Sequence, residues 1–478
     1  QSPGKSPGKG CFSGTQISGI GNHGSGLEPL AQTLPQLLRF LRRCCVKFHG
    51  NAPMLVLFFV LLYHIGIGMK IFLFTSRREN ARMVMFILLL SRKESTMLGA
   101  IKKFFSRTDW VLLGLCLAAS VFGIIAIASA SNYHGASTYV SKQIIALVLG
   151  LILYVVISFI DMEIIAEHQT IVVIFSAIFL AMLYPFGVEG NTGNKSWISI
   201  HGLPFMIQPA EYCKILYILV AAQIMNIYQE RINSLPCVFR LGLVSAVYVG
   251  LIVIISKDAG VALIYVFTFI IMALAGGFSF AWFAAAGAGL AVIVPILWNS
   301  GLVRNDQKER IMMLFDSSID PQGTEIRYQT ARSLNAISGG GLTGQGLFNG
   351  TQVQSGNIPE QHTDFIFAAI GEELGFLGCA LCIILLIAII LRILYVGNHS
   401  GSYFYRMVCV GIASTLLFQI IINIGMCLGV MPVIGLTLPF FSYGGSSILS
   451  LYIAMGVISS VRLHPSPDAQ QRYLRLPV

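Results

Sequence analysis

Between about residue 97 and residue 465 the chain alternates long apolar stretches with short polar connections. Each stretch is roughly 20 residues, the length an α-helix needs to cross the hydrocarbon core of a bilayer, and lacks the ten-residue alternation of an outer-membrane barrel strand. Ten candidate spans fall near 110–130, 142–160, 165–186, 210–228, 238–256, 259–277, 279–298, 365–395, 404–429 and 445–462. The pattern predicts an all-α fold, a polytopic membrane helical bundle with about ten transmembrane helices. One long polar interval interrupts it, from Asn299 to Gly375, holding Asp320-Pro321, a glycine-rich run from Ser338 to Gly346, and Pro359-Glu360-Gln361-His362-Thr363-Asp364. Ordered loops longer than about 12–15 residues usually carry function, so this loop is the expected working part.

Composition supports the membrane reading. Of 478 residues, 55% are hydrophobic and 11% charged, where a soluble domain carries about 25% charge; the mean hydropathy is +0.76. The net charge of +10 fits lysines and arginines facing membrane lipids. No basic cluster is interleaved with aromatics as a nucleic-acid groove requires, so nucleic acid is set aside as a partner. Lys102, Lys103, Arg107, Arg231, Arg240, Arg392, Arg406 and Arg462 fall on one side of the spans, against Lys142, Lys195 and Lys257 in the short loops of the other. The bias places the amino end of the first span inside, the long loop outside and residues 466–478 in a cytoplasmic tail. Most of the ten cysteines lie in apolar segments. Cys379 and Cys382 have a CxxC spacing, but inside an apolar helix with no second pair they read as packing.

Residues 1–52 are rich in Gly, Ser and Pro, and Pro53 to Phe74 has the length of an extra span. At Met97 a short basic amphipathic lead opens into the first helix, as a natural amino terminus does. Residues 1–96 are therefore expected to be an accessory or over-called extension, with the functional domain over 97–465.

Three groups of ionisable residues sit at the outer ends of spans. Glu211 and Lys214 are three apart and share a helix face, so they either lock helices together as a pair or leave Lys214 to bind an anionic group. Asp258 precedes Gly260 at a helix start, which favours capping. Glu360, His362 and Asp364 precede the eighth span and Glu372-Glu373 lie inside it; two carboxylates and a His allow metal or acid–base chemistry, against helix capping and inter-helix hydrogen bonding. The segment from Met431 to Ser447, with two prolines and paired glycines, is expected to line a cavity, since non-helical backbone at membrane depth must be buried or face one.

Taken together, Trp197-Ile198-Ser199, Gln208-Pro209-Ala210-Glu211-Tyr212-Cys213-Lys214, Gly344-Gln345-Gly346, Pro359 to Phe367, Gly371-Glu372-Glu373-Leu374-Gly375 and Leu438 to Ser446 resemble the SEDS family of shape, elongation, division and sporulation proteins. Gly350-Thr351-Gln352 is closer to the elongation branch. The resemblance implies a peptidoglycan glycosyltransferase of the bacterial inner membrane that polymerises lipid II and works with a class B penicillin-binding protein in the cell-wall elongation complex. The essential acid of the family's outer loop maps onto Asp320 of Asp320-Pro321. The chain departs from the family's Gly-x-Gly-Tyr after that acid, having Gly323 to Gln329, and has Lys257 where the family has Pro before Asp258.

Asp320 is then the expected general base, in an inverting transfer. Lys214, Glu211, Glu360, His362, Asp364, Ser442, Gly444 and Gly445 are expected to bind substrate. The departing pyrophosphate needs positive charge from Lys214, loop arginines or a divalent cation, the one cofactor this chemistry invites. The glycine run lacks a P-loop Lys-Ser/Thr ending and is expected to give the loop freedom to close over the lipid-linked sugar. Two alternatives are a flippase or transporter of lipid-linked precursor, which also breaks its helices and buries charge, and a non-catalytic scaffold of the cell-wall complex.

Overall fold

A computed structural model of the chain describes residues 106–188, 194–299, 308, 312 and 326–464. The extension at 1–96, the 53–74 span, Asp320-Pro321 and the tail at 466–478 lie outside the described residues. The described part is a helical bundle: α1 (Trp110–Ala130), α2 (Ala136–Ser158), α3 (Gln169–Ala181), α4 (Pro209–Ile227), α5 (Leu235–Leu251), α6 (Ala259–Gly276), α7 (Phe280–Asn299), α8 (Ile326–Gly340), α9 (Thr351–Gln354), α10 (Ile366–Asn398), α11 (Tyr403–Cys427) and α12 (Gly445–Leu463). Among the described residues, nine helices are long and apolar enough to cross a membrane. The tenth expected span forms α7, which has Pro295 inside it and an apolar run from Phe280 to Val292.

Burial separates a core from a rim. In α12, α4 and α11, 83%, 78% and 72% of the apolar window is buried, against 17% for the span that begins with α5. The first three make the centre of the bundle and the last faces lipid. The helices meet through small residues, as expected where apolar side chains gain little by leaving lipid. On α1 the inward face is Leu112, Cys116, Ala119, Ser120, Gly123, Ala126, Ile127 and Ala130. A Cβ at Gly123 would lie 2.7 Å from Cα of Phe441, so only glycine admits the chain crossing there.

Helix ends follow local chemistry. Asp109 caps α1 by accepting from Leu112 N at 2.9 Å, and Asp258 caps α6 by accepting from Val261 N at 3.1 Å, the role its spacing from Gly260 predicts. Before it, a π-turn over Ile252–Ser256 ends in Lys257 with φ 55°. Two short antiparallel strands, β1 (Gly187–Val188) and β2 (Trp197–Ile198), pair beside the start of α4. The seven described cysteines are free and buried, Cys379 and Cys382 among them.

The main departure from expectation is in α10. At Gly375 the backbone turns to φ 66°, ψ −162°, which would strand amides and carbonyls at the depth of a helix. The glycine run takes them up: Gln345 N and Gly346 N donate to the Glu372 and Glu373 carbonyls at 2.9 and 3.0 Å, while Phe376 N and Leu377 N donate to the Gly341 and Leu342 carbonyls at 2.9 and 3.2 Å. The glycines serve close approach. Gly344 has φ 81°, and a Cβ on it would collide with the Glu373 carbonyl. The run is stitched to α10, and the freedom of closure expected of it is not what these bonds provide.

Candidate active site

The described polar residues singled out in the sequence gather at one end of the bundle, at the carboxyl end of α1 and the amino ends of α4, α6, α10 and α12. Glu211 and Lys214, in the first turns of α4, form a buried ion pair at 2.9 Å, and Ser450 Oγ of α12 donates to the same Glu211 oxygen at 3.1 Å. The pair borders a small cavity shared with Thr415, Gln419 and Leu451. Lys214 is thus paired with Glu211 and also lines a cavity.

Above this pair stand three more carboxylates. Asp258, besides capping α6, accepts from Ser196 Oγ at 3.1 Å. Burial raises its pKa, and the charge of Glu211 adds to the effect. Asp364, half-buried just before α10, is pushed up to about 7, first by desolvation and then by the charges of Glu360 and Asp258. Glu360 is exposed at φ 49° and accepts from Thr363 Oγ1 at 3.1 Å. Glu211, Asp258, Asp364 and Glu360 thus form a row in which each senses the next, leading from the buried pair to the outer surface. A carboxyl titrating near neutrality at the mouth can exchange protons with a bound hydroxyl.

His362 is half-buried, edge-on to Tyr139 at 4.7 Å between ring centroids and 5.6 Å from Tyr443. Three rings meet there, since Tyr139 and Tyr443 are themselves 5.1 Å apart. Such a wall offers an apolar and aromatic surface to a sugar or lipid.

Other expected residues serve the frame. Ser442 Oγ donates to the Thr363 carbonyl at 2.6 Å and accepts from Leu438 N at 2.8 Å. Gln143 holds the Ser442 carbonyl at 3.2 Å and Gly444 N at 3.1 Å. Gly445 lies against Phe205, where a Cβ would overlap the ring. These contacts tie the irregular segment before α12 to α2 and to the residues preceding α10. Phe440 and Phe441 are fully buried, so this segment packs into protein over that part; at Gly435 it approaches Asp364, 3.3 Å from where a Cβ would stand.

Glu372 and Glu373, open to metal or acid–base chemistry in the sequence, are both engaged in the frame. Glu372 accepts from Thr351 Oγ1, Gln352 N and Val353 N at 2.8 to 3.0 Å, capping α9. Glu373 accepts from Ser129 Oγ at 2.7 Å and Gln354 Nε2 at 2.8 Å, joining α1 to the loop. Among the described residues, no three His, Cys, Asp or Glu converge as metal ligands.

One set of residues escaped sequence reasoning. Thr415, Gln419 and Asn423 recur every four residues on α11, one face of a helix. Asn423 Nδ2 donates to the Asp364 and Leu436 carbonyls at 2.8 and 2.7 Å, placing the backbone of the mouth. The spacing of polar residues in an apolar span was the available signal.

Residues 106–466 match the FtsW/RodA/SpoVE family, described as cell cycle proteins. The chain belongs to this family. Among its relatives, the peptidoglycan glycosyltransferase MrdB of Escherichia coli K12 is 32% identical over 358 residues, covering 74% of this chain and 94% of that one. A probable peptidoglycan glycosyltransferase FtsW of Bacillus subtilis is 31% identical, covering 76% and 92%. A chain from a peptidoglycan synthase complex, whose structure concerns the coordination of polymerization and crosslinking, is 28% identical with a TM-score of 0.65, covering 76% and 99%. The Thermus thermophilus rod shape determining protein RodA, 24% identical with a TM-score of 0.54 over 76% and 98%, shares the fold. The chain is a multi-pass membrane protein of this family, and the SEDS resemblance read from its motifs is correct.

Proposed function

We infer that this chain is a peptidoglycan glycosyltransferase that polymerises lipid II into glycan strands at the outer face of the bacterial inner membrane. The observation that carries this is the family match over residues 106–466, with relatives named as peptidoglycan glycosyltransferases. The gathering of its ionisable residues at one mouth supports it.

In the reaction, a glycan hydroxyl oxygen attacks the anomeric carbon of the donor sugar. The new carbon–oxygen bond forms as the bond to the lipid pyrophosphate breaks, with inversion, and the hydroxyl proton passes to a carboxylate. From the family resemblance we assign that carboxylate to Asp320, whose proton transfer is worth about 10² to 10⁴-fold. Asp364 lines the mouth where the acceptor would arrive. Lys214 can neutralise the pyrophosphate only by exchanging Glu211 for it, and a divalent cation held in part by the loop would serve the same end. The structural neighbour from a complex that couples polymerization to crosslinking supports a crosslinking partner, a class B penicillin-binding protein.

The test is purified protein incubated with labelled lipid II, with and without that partner. Glycan strands are expected, and Asp320→Asn is expected to lower the yield by at least about 10²-fold while the protein stays folded. Movement of lipid II across vesicles without polymer would replace the assignment with a flippase, and neither activity would leave a scaffold.

A further inference from the structure

At the inner end of the bundle, away from the mouth, one carboxylate holds two arginines. Asp109 is fully buried. It accepts from Arg392 Nε of α10 at 3.1 and 3.0 Å, and it pairs with Arg392 Nη2 at 3.0 Å and Arg462 Nη1 of α12 at 3.1 Å. With the capping bond from Leu112 N, both oxygens of Asp109 are fully used. Two guanidinium charges against one carboxylate leave an excess of one. Arg107, two residues upstream and exposed, has no acidic partner among the described residues and makes the excess two.

Position decides what this charge can meet. Trp110, 48% exposed, is the first residue of a strongly apolar span, where an indole sits at headgroup level. Arg392 also lies over the Tyr395 ring at 4.8 Å, and Tyr395 is 47% exposed. Tryptophan and tyrosine at this level mark the interfacial belt, so the arginines lie at the depth of lipid phosphates. The Arg462 side chain is 42% exposed and gives one nitrogen to Asp109, which leaves the rest of its planar fork for a second anion. Guanidinium forks fit phosphate oxygens two at a time.

We propose that Arg107 and Arg462, steadied by Asp109 and Arg392, bind the phosphate of an anionic phospholipid in the inner leaflet. The site joins α1, α10 and α12 at one lipid headgroup. It is independent of the outer mouth and of the chemistry assigned there.

The test uses the full chain in detergent, titrated with phosphatidylglycerol or phosphatidylcholine and followed by native mass spectrometry and thermal denaturation. Phosphatidylglycerol is expected to stay bound and to raise the melting temperature where phosphatidylcholine does not. Arg107→Gln and Arg462→Gln are each expected to weaken phosphatidylglycerol binding about fivefold, the effect of one basic charge at a membrane surface. Arg107→Gln touches no bond of Asp109, and Arg462→Gln leaves Asp109 the Arg392 guanidinium and the Leu112 amide, so both variants are expected to fold with unaltered polymerisation in neutral lipid. Arg462→Lys keeps the charge without the fork and is expected to fall between Arg462→Gln and the parent. Equal affinity for the two lipids, or unchanged affinity in both glutamine variants, overturns the proposal. Glycerol phosphate binding as tightly as the lipid would also overturn it, in favour of free phosphate.

Discussion

Lys214 keeps its charge inside the bundle because Glu211 stands 2.9 Å away and Ser450 supports the same carboxylate. Removing one partner of a buried pair strands the other, a cost of about 3–5 kcal/mol, whereas replacing both with groups of similar volume is close to neutral. Lys214→Met should therefore lower the melting temperature sharply, and Glu211→Gln combined with Lys214→Met should restore most of it. If the double variant also polymerises lipid II, Lys214 has no part in holding pyrophosphate. Asp364 makes a prediction of a different sign. Its carboxyl titrates at about 7, against 3.8 for an unperturbed group, so the folded state binds more protons than the unfolded one between those values. Stability then falls as pH rises through that interval and levels off above it. Thermal denaturation at pH 5 and pH 8 should show a wider gap for the parent than for Asp364→Asn.

At the scale of elements, the break in α10 and the glycine run are one device. A helix interrupted at Gly375 exposes backbone groups that would be costly in an apolar setting, and the turns of Gly341 to Gly346 satisfy them from outside. Glu372 then caps α9 and Glu373 reaches Ser129 of α1, so the carboxyl-terminal half of the outer loop is fixed to two membrane helices. Gly344 is the position with least tolerance, having positive φ and no room for a Cβ. Gly344→Ala should cost roughly 1–3 kcal/mol from the backbone conformation alone. It should be read as faster proteolysis between residues 341 and 350, with α1 to α6 unaffected. Unchanged proteolysis would show that the run docks without need of the glycine.

In the bundle, the division into a core of α4, α11 and α12 and a sparsely buried rim at α5 places the Glu211–Lys214 pair inside the core. The family match begins at residue 106, near the Met97 start that the sequence suggests. A chain beginning at Met97 is therefore expected to polymerise lipid II as well as the longer one, measured by glycan yield per mole of protein. A large loss would give residues 1–96 a part in the activity.

The membrane spans were legible in the sequence, because a bilayer imposes length and apolar content on every crossing segment. Asp258 as a cap was legible too, since capping is decided within one turn. Whether Glu372, Glu373 and Ser442 do chemistry or carpentry was not, because their partners lie far along the chain: Ser129 is 244 residues from Glu373 and Thr363 is 79 from Ser442. The same holds for the glycine run, whose purpose exists only against the break in α10. Local pattern reports what a segment buries; which polar atoms meet depends on how the helices pack, and only the tertiary structure decides that.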